Sequence, residues 1–142
     1  MIKVQPKHVV NYINFRGRID SRPKYSNYGD TFDSFTGLKD KSALLLDLGR
    51  KMYRKEEISI GMFDLDNFKA YNDAYGFENG DKVIKAVSDT LSATINEVGT
   101  TEDFIGHIGG DDFVIITVPD RMDIIGKTVI EKFSSKTKTF YN

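Results

Sequence analysis

No cysteine occurs in this sequence of 142 residues. That excludes a disulfide framework and any thiolate metal site, and makes a reducing compartment the simplest expectation. No apolar run approaches the length that spans a bilayer, and the amino terminus lacks the apolar core of a signal peptide, so neither a membrane span nor a secretory leader is read and a cytoplasmic protein is expected. Repeats and low-complexity tracts are missing as well. The net charge is only −1, and beyond the first segment nothing resembles a nucleic-acid-binding face. What remains is a chain long enough for one domain with a real core.

Charge is unevenly placed along it. Residues 1–28 carry Lys3, Lys7, Arg16, Arg18, Arg22 and Lys24 against Asp20 alone. With Pro6, Gly17 and Pro23 among them, these cations read as a basic arm or linker, and a contact with an acidic partner is the competing reading. Within the arm, Val9 to Phe15 forms a short strand or helix whose apolar residues dock on the main body or on a second copy. Ser21 to Asp30 is a loop of Ser, Pro, Asn and Gly that marks the boundary, so the domain proper is expected over 29–142.

Periodicity then supplies the elements. Leu44, Leu45, Leu48, Met52 and Tyr53 give a helix ending near Lys55 to Glu57, and Ile58 to Phe63 gives a buried strand. Asn67 to Tyr75 reads as a short helix broken at Gly76. A second helix opens at Gly80-Asp81, with Asp81 as its amino-terminal cap, and buries Val83, Ile84, Val87, Leu91 and Ile95 before stopping by Gly99. Phe104 to Ile108 and Phe113 to Val118 form a hairpin around Gly109-Gly110-Asp111-Asp112. After Pro119 a helix carries Ile124, Ile125, Val129, Ile130 and Phe133, and the polar tail from Ser134 to Asn142 frays. This order matches the first five elements of a ferredoxin-like β-α-β-β-α-β unit, an α+β fold whose antiparallel sheet is covered by helices. In that topology the first strand lies antiparallel to the third.

Acids therefore converge. Asp64 and Asp66 end the first strand, and Asp111 and Asp112 sit at the hairpin tip. Mg²⁺ takes oxygen ligands and is commonly held by a few carboxylates plus substrate phosphates, a role that Asp64 and Asp111 suit. Solvated turn-forming acids are the equally simple reading of the same letters, and Gly-Gly is common in hairpins.

Three blocks together resemble the GGDEF family, the diguanylate cyclases. Asp33 to Lys41 is similar to the family's D-x-L-T-G-L-x-N-R segment, Phe63 to Asp81 to F-D-x-D-x-F-K-x-x-N-D-x-x-G-H-x-x-G-D, and Gly109 to Phe113 reads G-G-D-D-F. The likeness runs from about Asp30 to Lys132 and implies a palm-type fold that condenses two GTP molecules into cyclic di-GMP with Mg²⁺ or Mn²⁺, as a homodimer with one nucleotide per subunit. It also implies site residues. Asp64, Asp111 and Asp112 would be catalytic and, with the main-chain carbonyl of Leu65, would hold the metal. Lys69 would face the triphosphate, Asn72 and Asp81 would read guanine, and Gly109 and Gly110 would let the hairpin backbone approach the phosphates. Taken alone, Lys69 is a surface lysine, Asn72 a turn residue and Asp81 a helix cap. His107, where the family often has Arg, reads as structural. A related palm-type polymerase shares G-G-D-D, but Phe68-Lys69 and Asn72-Asp73 favour the cyclase pattern.

Four departures qualify the likeness. Asp112 replaces Glu and shortens the reach to a metal. Phe77 stands where His is common. Thr100 takes the place of the arginine in the family's R-x-x-D feedback site, leaving only Asp103. The chain also stops before a further strand and a basic helix, so the domain reads as partial and a regulatory domain as absent from this chain. The exposed sheet edge then needs cover from the arm at Val9 to Phe15, a second subunit, or another segment. A truncated or degenerate module that binds GTP or mediates assembly without turnover is the alternative expectation.

Overall fold

Two runs of buried residues organise the molecule, and both belong to strands. A computed structural model describes Lys3–Val4 and Ile13–Arg16 of the arm and all of residues 31–141. The strands are β1 (Lys3–Val4), β2 (Ile13–Arg16), β3 (Glu57–Phe63), β4 (Leu65–Asp66), β5 (Phe104–Gly109) and β6 (Asp112–Thr117). The helices are α1 (Lys41–Tyr53), α2 (Phe68–Tyr75), α3 (Phe77–Val98) and α4 (Met122–Lys136). A four-stranded antiparallel sheet runs β2-β3-β6-β5, and β1 pairs separately with β4. The expected neighbourhood of first and third strands holds: β3 and β6 are antiparallel from Ser59 opposite Thr117 to Phe63 opposite Phe113.

Strand β6 shows why its apolar run is unbroken. Phe113 and Ile115 face one layer, with Val83, Val87 and Leu91 of α3 and Ile125, Val129 and Phe133 of α4. Val114 and Ile116 face the other, with Ala43 of α1 and Ile58 and Phe104 of the neighbouring strands. A strand covered on both sides loses the alternation that marks a half-exposed one. Helix α1 is the smaller cover. Ala43 and Leu46 are its buried apolar residues, whereas Leu45 and Tyr53, read from the sequence as part of the buried face, are exposed. Asp40 caps it, accepting from the Ala43 N–H and from the Thr31 hydroxyl. Near its other end Lys51 is buried, with Nζ donating to Asp47 at 2.6 Å and to the Glu102 carbonyl at 2.8 Å, which ties the helix to the turn before β5.

Three sequence expectations shift. The second helix starts at Phe77 rather than Gly80-Asp81, because Gly76, at φ 87°, turns the chain sharply enough for α3 to follow α2 at once. Asp81 is thus a helix-interior residue and not a cap. The tail does not fray over its described part: α4 continues to Lys136, a 3-10 turn covers Thr137–Phe140, and Tyr71 Oη donates to the Phe140 carbonyl at 2.8 Å. Tyr141 packs edge-on against both Tyr71 and Tyr75, which stack on each other. Burial, and then the neighbouring Tyr141 and Tyr75, push the Tyr71 hydroxyl pKa above its ordinary value. Of the candidates for covering the β3 edge, the arm does so at Ile13–Arg16, antiparallel to Glu57–Ile60. Val9 to Tyr12, the loop from Ser21 to Asp30 and Asn142 lie outside the described residues.

Candidate functional site

The cross-strand pair Phe63 and Phe113 is buried, at 2% and 1% exposure, and anchors the adjoining ends of β3 and β6. One residue further along the two chains stand Asp64 and Asp112. Strand β5 carries one extra residue, Ile108, between its pairings of His107 with Phe113 and Gly109 with Asp112. That bulge re-aims the hairpin tip. Gly110-Asp111 is then a two-residue connection, with Gly110 at φ 53° and Gly109 at φ 155°. Glycine at the first central position is what a type II′ turn takes, and both angles are costly for any residue with a Cβ. A Cβ at either glycine would meet no atom within 4 Å, so the space above this backbone is open.

Asp64 and Asp111 are half-buried, Asp112 is exposed, and Oδ1 of Asp64 is a buried atom. Leu65, buried, follows at once in β4. Among the described residues no three or more His, Asp or Glu side chains gather closely enough to form a metal cluster. The arrangement instead offers carboxylates at the ends of two adjacent strands and one main-chain carbonyl. Such a set suits Mg²⁺, which needs only one or two carboxylates when phosphates and water complete the shell.

On the far side of β4, Asn67 at φ 62° turns the chain into α2. Lys69 is exposed there, and Asn72 lies in the corner between α2 and α3, against Gly80. The Asn72 Oδ1 is buried without a hydrogen-bond partner, and Asp81, next to Gly80, is exposed. The corner thus draws Asn72 and the Gly80-Asp81 turn of α3 together. A small polar cavity lined by Tyr71, Tyr75, Asn79, Lys82, Thr139 and Phe140 contains none of the expected site residues.

Two further polar clusters join separate segments of the chain. Asp33 Oδ2 accepts from the Thr36 N–H at 2.7 Å and the Thr36 hydroxyl at 2.8 Å, and it lies 3.2 Å from Nδ1 of His107. Partial burial pushes the Asp33 carboxyl pKa up, but the Thr36 donors and the His107 ring outweigh it and hold it below the usual carboxylate value. Asp103 accepts from the Thr100 N–H and hydroxyl and from the Thr117 hydroxyl, each at 2.7 Å. Thr100 and Asp103 stand out in the sequence as the altered R-x-x-D pattern, but the bond to Thr117 does not.

Residues 30–141 match the family model described as diguanylate cyclase, GGDEF domain. The chain belongs to the GGDEF family. Its sequence is 36% identical over 89 residues to diguanylate cyclase DgcS of Shewanella oneidensis, across 60% of this chain and 29% of that protein. It is 28% identical over 108 residues to the cyclic di-GMP phosphodiesterase NbdA of Pseudomonas aeruginosa, across 71% of this chain and 13% of that protein. The crystal structure of the GGDEF domain of DgcB from Caulobacter crescentus in complex with c-di-GMP aligns with a TM-score of 0.61 at 26% identity, over 79% of this chain and 65% of that one. The chain therefore spans less than a third of either curated relative. The fold is the α+β GGDEF fold, and among the described residues no helix is long and apolar enough to cross a membrane.

One feature of this GGDEF domain separates folding from recognition. A Cβ at Gly80 would come within 1.8 Å of Asn72 Oδ1. Gly80→Ala is expected to move the Asn72 amide aside, since that amide is the free end of a flexible side chain. Helix α3 would gain roughly 0.5–1 kcal/mol from losing an interior glycine. If Asn72 contacts a nucleotide base, as proposed below, nucleotide affinity is expected to fall about tenfold, the loss of roughly one hydrogen bond to a buried polar group. Urea unfolding beside a nucleotide titration checks both signs.

Proposed function

We propose that this GGDEF domain, placed at 29–142 with residues 1–28 as its arm, is a diguanylate cyclase domain. It joins two GTP molecules into cyclic di-GMP with release of pyrophosphate, in the cytoplasm and as a homodimer. The observation that carries the reading is the register of β3 on β6, which ends at Phe63 opposite Phe113 and so leaves Asp64, just past β3, and Asp112, the first residue of β6, beside the Gly109-Gly110-Asp111 turn. Asp64 and Asp111, with the Leu65 carbonyl and with Asp112 assisting, would hold Mg²⁺ or Mn²⁺ together with substrate phosphates and water, and the bound ion would screen phosphate charge and ease formation of the attacking alkoxide.

The remaining roles belong to the chain. Open space above Gly109 and Gly110 admits a phosphate chain against the backbone. Lys69 neutralises part of its charge. The Asn72 amide and the Asp81 carboxylate meet the acceptor and donor edges of guanine, a pattern adenine does not match. One nucleotide per subunit leaves the 3′-hydroxyl of each to reach the α-phosphorus of the other across a two-fold pair of half-sites. Asp103, with its carboxylate already held by Thr100 and Thr117, is not offered to product, so feedback through that position is weak or absent.

A second reading is a GGDEF module that binds GTP or mediates assembly without turnover. The shorter side chain of Asp112 favours it. Incubation with GTP and Mg²⁺ or Mn²⁺, followed by chromatography for cyclic di-GMP, decides between them. Product is expected from GTP and not from ATP, and GTP binding without product supports the second reading.

A further inference from the structure

We infer that Tyr71 is a positioning residue for guanine recognition: through it, residues 137–141 hold helix α2, and with it Asn72, in place; this rests on the proposed nucleotide site. The helix needs such a hold. It has eight residues, and Asn67 at its start makes no side-chain cap hydrogen bond. Isolated helices shorter than about 12–15 residues are marginal in water, so one this short takes its stability from what it packs against. Tyr71 is its one buried residue.

Two faces of α2 meet two different supports. Phe68 and Asn72, four apart and so on one face, both flank Gly80 of α3, where an added Cβ would stand 1.8 Å from Asn72 Oδ1 and 3.4 Å from the Phe68 ring. Tyr71 and Tyr75, also four apart, lie on the next face and stack with centroids 4.7 Å apart. Tyr141 closes over both rings edge-on, its centroid 5.6 Å from each. The Tyr71 hydroxyl donates to the Phe140 carbonyl at 2.8 Å, a bond between residues 69 apart in sequence.

The other side of this contact is anchored without help from α2. Phe140 packs against Phe133 with centroids 5.8 Å apart, and Phe133 is 1% exposed in the main core. Thr137 is buried, and its hydroxyl donates to the Ser134 carbonyl at 2.9 Å. Just before it, Lys136 Nζ donates to the Thr90 hydroxyl of α3 at 3.0 Å. A path of packed groups therefore runs from the core through Phe133 and Phe140 to Tyr71.

Asn72 follows Tyr71 directly on the helix. A rotation of α2 that Tyr71 no longer resists carries the Asn72 amide away from Gly80 and from the base it would meet. The seam between α2 and residues 137–141 also holds a polar cavity of about 200 Å³. The hold is thus made at a few points rather than over a continuous face, and the loss of one is felt.

Two substitutions loosen it from opposite sides and leave the core intact. Tyr71→Phe keeps the ring and removes the hydroxyl, whereas Tyr141→Ala removes the covering ring and changes no residue of α2. Hydrogen exchange of the backbone amides, measured on the full chain, tests the hold without any nucleotide. Both variants are expected to speed exchange in α2 about fivefold, the scale of one neutral hydrogen bond, with β3 and β6 unchanged. Exchange in α2 equal to wild type in both variants overturns the inference, and so does a rise spread evenly over every element, which marks a global loss of stability.

Titration with a non-hydrolysable GTP analogue and Mg²⁺, at a temperature where every variant is folded, supplies the recognition arm. Tyr71→Phe and Tyr141→Ala are each expected to bind about fivefold more weakly than wild type, and Asn72→Ala about tenfold more weakly. Adding Tyr141→Ala to Asn72→Ala should cost nothing further, because the amide through which the contact acts is already gone. Additive losses, or wild-type affinity in both tyrosine variants, overturn the positioning role alone. No binding by wild type or any variant would instead remove the nucleotide reading and the positioning role with it, while exchange still decides whether residues 137–141 hold α2.

Discussion

Asp111→Asn is expected to reduce cyclic di-GMP formation from GTP by at least about a hundredfold, while the domain stays folded. Residues that merely support a metal ligand cost 10–100-fold when changed, and Asp111 is proposed as a ligand itself, so its loss should exceed that range. An amide keeps the shape of the carboxylate but has one oxygen where there were two, and it carries no charge. Stability should hold or rise slightly, because Asp112 and Asp64 lose a like-charged neighbour. The position tolerates the change geometrically: Asp111 lies in a solvent-facing turn whose unusual backbone angles belong to Gly109 and Gly110. Product quantified beside a thermal melt separates loss of chemistry from loss of fold. Unaltered product would take Asp111, and the proposed metal site with it, out of the reaction.

Phe63→Ala should produce the largest change in stability, roughly 3–5 kcal/mol. Phe63 is fully enclosed and lies opposite Phe113, among residues of α3 and α4. Truncating it leaves a cavity at the point where two strands, two helices and the acid-bearing ends meet. Domains are typically stable by only about 5–15 kcal/mol, so much of the folded population is at risk and the melting temperature should fall by about 10 °C or more. Urea unfolding measures it, with Leu45→Ala as the control. Leu45 is an apolar residue that is 59% exposed, and its truncation should stay within about 0.5 kcal/mol. A Phe63→Ala loss below 1 kcal/mol would mean that the β3–β6 junction is not packed as described.

The pair of predictions marks what the letters could and could not carry. Strands β3, β5 and β6 were readable because buried apolar runs bounded by glycines and acids have few other solutions. The palm order followed from them, and so did the nearness of Asp64 to the hairpin. The start of α3 was misplaced because Gly80 looked like a helix boundary. Its missing side chain instead makes room for Asn72, a tertiary reason that local propensity does not encode. The tail was misread for a similar cause: its polar letters hide Thr137, which is buried, and Phe140 and Tyr141, which meet α2. Leu45 fitted a helical stripe but faces outward, since α1 needs only a narrow contact with the sheet. His107 had no visible role because its partners, Asp33 and the Gly110 carbonyl, are brought to it only by folding.

Among the described residues of the arm, β2 clasps Glu57–Ile60, the half of β3 remote from the acids. Gly61 to Phe63 pair with Ile115 to Phe113 of β6. Tension on the arm at β2 would thus be delivered to the rear of the strand, away from the end that Phe63 anchors in the core. Grip and payload sit at opposite ends of one short lever.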